Sequence, residues 1–142
     1  MEANITIHSV IESPEGAAPE RTEARVRGEL SFDGNTARLI WRECGEGGEV
    51  NSTLTVLDSE VSVARRGAIE STLVFREGER AESLYKLGQY SFDMSVTARR
   101  VRCSLGEDSL SVTVIYDMVL GGAEQLVKMK IRAEARAEDA DD

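Results

Sequence analysis

The sequence predicts an all-β domain, a single up-and-down antiparallel barrel of about 8–10 strands. Apolar residues recur with a period of two along nearly the whole chain. Clusters of Gly, Asn, Asp and Ser interrupt them at intervals of about 8–12 residues, the spacing of short strands joined by tight turns. No segment has the three-and-four spacing of an amphipathic helix.

The first strand is marked by Ile5, Ile7 and Ile11, and the loop SPEGAAPE (13–20), which holds both prolines, ends it. In RTEARVRGELSF (21–32), Thr22, Ala24, Val26, Gly28, Leu30 and Phe32 share one face, and Arg21, Glu23, Arg25, Arg27 and Glu29 the other. That is a strand with one wet face. Asp33-Gly34-Asn35 supplies turn chemistry, and Ala37, Leu39 and Trp41 resume the alternation. After the glycine-rich CGEGGE (44–49) come a strand through Leu54 and Val56, a turn at Asp58-Ser59 and a strand from Val61 to Arg65. Ile69–Phe75, Ser83–Leu87 and Tyr90–Val96 follow, and then a separate strand through Val101, Cys103 and Leu105. Leu110, Val112, Val114, Tyr116 and Met118 form the longest clean stripe, and Val127, Met129, Ile131 and Ala133 the last. Sequential strands joined by short turns favour up-and-down order, and closure removes the exposed edges of so wide a sheet.

The chain of 142 residues reads as one domain over 1–133, large enough for a single core. Residues 134–142 lose the apolar phase and read as an acidic, frayed tail. The net charge of −9 predicts no nucleic-acid partner, because that affinity comes from cations that neutralise phosphates, and no attraction to an anionic membrane. The N-terminus carries no basic flank with an apolar run behind it, and no stretch approaches the roughly 20 apolar residues of a span. A cytoplasmic location with reduced Cys44 and Cys103 is the expectation. Two cysteines and one histidine do not make a four-ligand Cys/His zinc site, and no cofactor motif is present, so neither a metal nor a cofactor is expected.

The segments ITIHSVIE (5–12), RVRG (25–28), ARRG (64–67), Tyr85 within LYKL (84–87), and IYDM (115–118) followed by LGGAEQLVKMKI (120–131) resemble the YwiB-like family of bacterial proteins in order and spacing. The resemblance covers roughly residues 4–133. It implies a calycin-type, lipocalin-like barrel in the cytoplasm, in a family with no assigned biochemical function. One position departs from the pattern: Tyr90 stands where the family tends to place a glycine after the tyrosine matching Tyr85, and Gly88 lies two residues earlier.

Arg65 raises the main functional question, because it continues the phase of Val61 and Val63 and so points inward near one mouth. An unpaired buried guanidinium is costly. Either it pairs with an internal carboxylate or leaves the barrel at the strand end beside Gly67, or it receives the carboxylate or phosphate of a small ligand. The first reading leads, and the resemblance strengthens the second, since barrels that hold acyl chains often place a cation there. Trp41, Tyr85, Tyr90 and Tyr116 share inward phases, either as core or as cavity lining with a polar tip. Thr22, Ala24, Gly28, Ala37 and Ser71 add small inward residues.

No catalytic residue is assigned. His8, the one histidine, lies in antiphase to Ile5 and Ile7 and points outward, and Asp93 and Asp117 alternate with apolar neighbours in the same way. CGEGGE lacks the Lys-Ser/Thr of a phosphate loop and reads as a hairpin connection. In Arg99-Arg100-Val101-Arg102 the alternation divides the cations between two faces with no interleaved aromatic, which reads as a solvated strand end. The leading expectation is a non-enzymatic module for a small, partly apolar, anionic molecule. The alternative is a structural or interaction domain with a filled interior, and an unrecognised hydrolase or isomerase at the barrel mouth stands third. Monomer and homodimer are both open.

Overall fold

The computed structural model describes residues 1–14, 16, 18–45 and 47–136. They form ten antiparallel strands: β1 (Glu2–Glu12), β2 (Glu20–Asp33), β3 (Thr36–Gly45), β4 (Gly48–Leu57), β5 (Glu60–Gly67), β6 (Ile69–Phe75), β7 (Arg80–Leu87), β8 (Tyr90–Leu105), β9 (Ser109–Leu120) and β10 (Ala123–Ala135). Each strand pairs with its neighbours in sequence, and β1 pairs with β10 from Ala3↔Ala135 to Glu12↔Leu126. This last ladder closes an up-and-down barrel in which every strand has a partner on both sides along at least part of its length.

The alternation that identified the strands also sorts them into an inside and an outside. On β9, Leu110, Val112, Val114 and Tyr116 are buried, while Ser109, Ser111, Thr113 and Ile115 are only partly covered. On β2 the outward residues are charged, the reverse of the apolar outer band of a membrane barrel. Among the described residues no helix is long and apolar enough to cross a membrane.

Three differences from the sequence reading have physical causes. The strands expected at 90–96 and 101–105 are one 16-residue strand, β8, whose pairing with β9 slips between Ala98 and Arg100. One extra residue, Arg99, switches the inward phase from even numbers (Met94, Val96, Ala98) to odd ones (Val101, Cys103). The basic run is therefore not divided between faces: Arg99, Arg100 and Arg102 are all exposed on the outer wall, where Arg99 grips Asp117 through Nε–Oδ2 (2.7 Å) and Nη2–Oδ1 (2.9 Å). Finally, β10 runs two residues past 133, to Ala135, and Arg136 N–H donates to the Glu2 carbonyl, while residues 137–142 of the acidic tail lie outside the described residues. Glu46 of the CGEGGE connection lies outside them as well.

Alternating strands give the barrel two unlike ends. The end that holds the 34–35, 58–59 and 106–108 turns is sealed. Leu30, Leu39, Leu54, Val61, Phe75, Val112 and Ile131 pack there with almost no exposure, each contributing about 1.5–3 kcal/mol relative to an exposed position. The chain start helps to seal it, since the Met1 ammonium donates to the Leu30 carbonyl (3.0 Å). At the opposite end, the mouth, β1, β3, β5, β7 and β9 end and β2, β4, β6, β8 and β10 begin, with turns at 88–89 and 121–122. Towards it the inward residues Ile7, Ile11, Val26 and Met118 are only partly buried. One cause is local to β2. Its ladder with β3 runs from Gly28↔Trp41 to Asp33↔Thr36, so Glu20–Arg27 pairs with β1 alone.

Candidate functional site

The site is a row of inward residues that cross-strand register brings together. Ala3 pairs with Gly28, Gly28 with Trp41, Trp41 with Ser52, Ser52 with Arg65, and Arg65 with Ser71. Directly opposed residues on antiparallel strands share a face. Arg65 thus points into the lumen between two serines that are 2% (Ser52) and 8% (Ser71) exposed. Val61 and Val63 beneath it are buried, whereas Arg65 itself is partly exposed and Arg66 beyond it is exposed. Arg65 sits where the sealed core gives way to the mouth.

Two local features shape the row. Gly28 has no side chain because none fits: a Cβ there would stand 2.2 Å from the Ile40 carbonyl oxygen and 2.7 Å from Ile5 Cδ1. That close approach presses β3 against β2 and aims Trp41 inward. Trp41 is 3% exposed, and its indole Nε1–H donates to Glu43 Oε1 at 2.7 Å. It therefore works as core with its polar tip already satisfied.

Tyr116 faces this row from β9. It is 5% exposed, and its ring lies 4.6 Å from that of Phe75, tilted by 45°. Burial pushes its phenol up to about 12, and the Arg65 guanidinium opposes that rise. The field of the Arg65 cation, at the boundary of core and mouth, thus reaches a neutral hydroxyl on the far wall. Among the described residues Arg65 has no ion-pair partner, and no hydrogen bond joins the Ser52 or Ser71 hydroxyl to another group.

The other two expected residues lie nearer the rim. Tyr85 is partly buried on the inward phase of β7 and opposes Phe92 on β8. Tyr90 shares that phase, but it is 61% exposed because β8 begins there, directly after the 88–89 turn. It belongs with exposed Leu87 and Phe92 to an apolar lip, apart from Arg65, Trp41 and Tyr116. Sequence reasoning missed Ser52, since only pairing register shows that it flanks Arg65.

His8 faces outward, with Nδ1 3.7 Å from Glu23 Oε2. Cys44 is exposed and Cys103 half-buried, and both are free thiols. Burial pushes the Cys103 thiol up, so it is a poor nucleophile. The grooves described on the outer wall, including one of about 400 Å³ between segment 12–14, Asp117 and Leu126, are not lined by Arg65 or by the four aromatics.

A closed ten-stranded up-and-down antiparallel barrel defines the class of protein. Residues 5–132 match the Domain of unknown function (DUF1934), and the chain belongs to that family. It is similar to the uncharacterized β-barrel protein YwiB of Bacillus subtilis (strain 168), with 27% identity over 126 residues covering 87% of each chain. It is also similar to the crystal structure of the ywiB protein from Bacillus subtilis, with a TM-score of 0.87, 25% identity, and coverage of 96% of this chain and 92% of that one.

Proposed function

We propose that this barrel is a non-enzymatic, lipocalin-like container for a small amphiphilic anion in an aqueous compartment, the cytoplasm, with Arg65 as the anion anchor. The observation that carries the reading is the Arg65 row: an inward guanidinium, flanked by the Ser52 and Ser71 hydroxyls, with no carboxylate paired to it among the described residues. A carboxylate or phosphate there gains a charge-assisted, two-pronged hydrogen bond. The apolar portion of such a ligand lies towards the mouth, along Ile7, Val26, Met118 and Tyr85, where inward side chains meet solvent. The lower barrel is filled, which restricts ligand space to the upper half.

That filled lower half also favours a second reading, a structural or interaction domain whose interior binds nothing. Calorimetry with dodecanoate and dodecylamine separates the two. The container reading expects dodecanoate to bind, dodecylamine not to bind, and Arg65→Ala to weaken capture much more than Arg66→Ala. Equal binding of both amphiphiles, or equal effects of the two substitutions, would remove the anchor, and binding of neither would favour the filled domain.

A further inference from the structure

The outer wall carries a second feature that the net charge conceals. Across β8, β9, β10, β1 and β2, outward residues align in register as Arg102–Thr113–Lys130–His8–Glu23 and, one step along, Arg100–Ile115–Lys128–Val10–Arg21. A third row joins Ser111, Arg132, Thr6 and Arg25, and Arg27 continues beside Asn4. The cations therefore stand in three columns, on β8, β10 and β2, all exposed. In this belt only Glu23 and Glu134 are acidic, and each is held by a neighbour on its own strand, Arg25 (3.2 Å) and Arg132 (2.9 Å). The remaining belt cations have no ion pair among the described residues. A protein of net charge −9 thus keeps a strongly basic flank.

We propose that this belt binds a single strand of nucleic acid through its phosphates. On β8 and β10 the cations recur every second residue, about 6.6 Å, on β2 Glu23 interrupts the series Arg21, Arg25, Arg27, and columns two strands apart are separated by about 9.6 Å. That is an extended array of positive charge suited to a polyanion. Six of the eight cations are arginines, which hold phosphate oxygens in two-pronged fashion. Between the columns Thr6, Ser111 and Thr113 supply hydroxyl donors.

The shape and the composition discriminate among polyanions. Five of the ten strands make half of a closed wall, so the belt is strongly convex. A flexible strand follows it, whereas a flat anionic bilayer touches only one column at a time. A protein partner needs apolar or aromatic anchors, and the belt offers only half-buried Val10 and Ile115. The absence of aromatics from these rows also means binding without stacking, governed by charge and blind to base sequence. The bulge at Arg99 is what turns Arg100 and Arg102 onto this wall.

The test is fluorescence anisotropy of a labelled oligouridylate of about 16 nucleotides, repeated with the DNA strand of equal length, a polyglutamate peptide and phosphatidylserine vesicles. Binding of RNA or DNA in about the 1–100 μM range at physiological salt is expected, weakening as salt rises. Lys128→Gln, Lys130→Gln and Arg132→Gln together should flatten the log–log salt slope by about 2, at roughly 0.7 per lost phosphate contact. Arg21→Gln with Arg25→Gln tests a separate column, circular dichroism checks the fold of each variant, and Arg66→Gln on β5, on the far side of the barrel, should change nothing. No binding at low salt, binding unaltered by both column variants, or preference for polyglutamate or vesicles over either strand overturns the proposal.

Discussion

Tyr116 on β9 and Arg65 on β5 are electrically coupled across the barrel lumen: burial pushes the phenol up to about 12, and the guanidinium pulls it back down. The coupling ties a core residue to the proposed anchor, and it gives each a measurable signature.

Stability should fall in alkali because of Tyr116. In the unfolded chain its phenol ionises near the ordinary value of about 10, but in the folded protein only near 12. Its contribution is complete below the unfolded value and is lost as pH climbs from about 10 to about 12, amounting to about 2–3 kcal/mol. Urea unfolding across that window should show the loss, and Tyr116→Phe should remove this part of the pH dependence. Arg65→Met should raise the folded phenol further, read by absorbance of the phenolate.

Replacing Arg65 should separate stability from capture. A guanidinium without a carboxylate partner lowers stability, so Arg65→Met should leave unfolding free energy unchanged or raise it by about 1 kcal/mol while abolishing dodecanoate binding. A loss of about 3 kcal/mol or more would instead mark Arg65 as one half of a structural pair.

Gly28→Ala should be among the most damaging single-methyl additions. The new Cβ meets the Ile40 carbonyl, a backbone atom that does not swing aside, and Ile5 Cδ1. A loss of about 1–3 kcal/mol is expected from overpacking, read in urea. Gly34→Ala, at positive φ (62°) but in open space, should cost only about 1–2 kcal/mol.

Phe75→Ala should cost about 3–5 kcal/mol, since the ring is fully buried at the sealed end. It also removes the partner ring of Tyr116, so the shift of the Tyr116 phenol should shrink as water reaches it.

The strands were legible because charged and uncharged side chains alternate with a period of two. On β2, charged Arg21, Glu23 and Arg25 alternate with Thr22, Ala24 and Val26, and that pattern survives any choice of partner strand. What was not legible depends on register. The alternation does break between Ala98 and Val101, but the break alone does not distinguish a new strand from the single extra residue of a bulge. The inward phase of Arg65 followed from Val61 and Val63, whereas its place between Ser52 and Ser71 depends on how the 58–59 turn and the Gly67 corner set the pairing. The exposure of Tyr90 follows from where the mouth ends, which periodicity does not record. The belt is hidden for the same reason: its columns come from strands far apart in sequence, and composition averages them away.

The most direct measurement of the container claim is native mass spectrometry of the protein purified gently from its own cells, beside the Arg65→Met variant expressed and purified in the same way. The account predicts a mass above the 15.6 kDa of the chain in the parent protein, lost on denaturation and missing from the variant. A bare parent chain, or an adduct carried equally by both proteins, would contradict it.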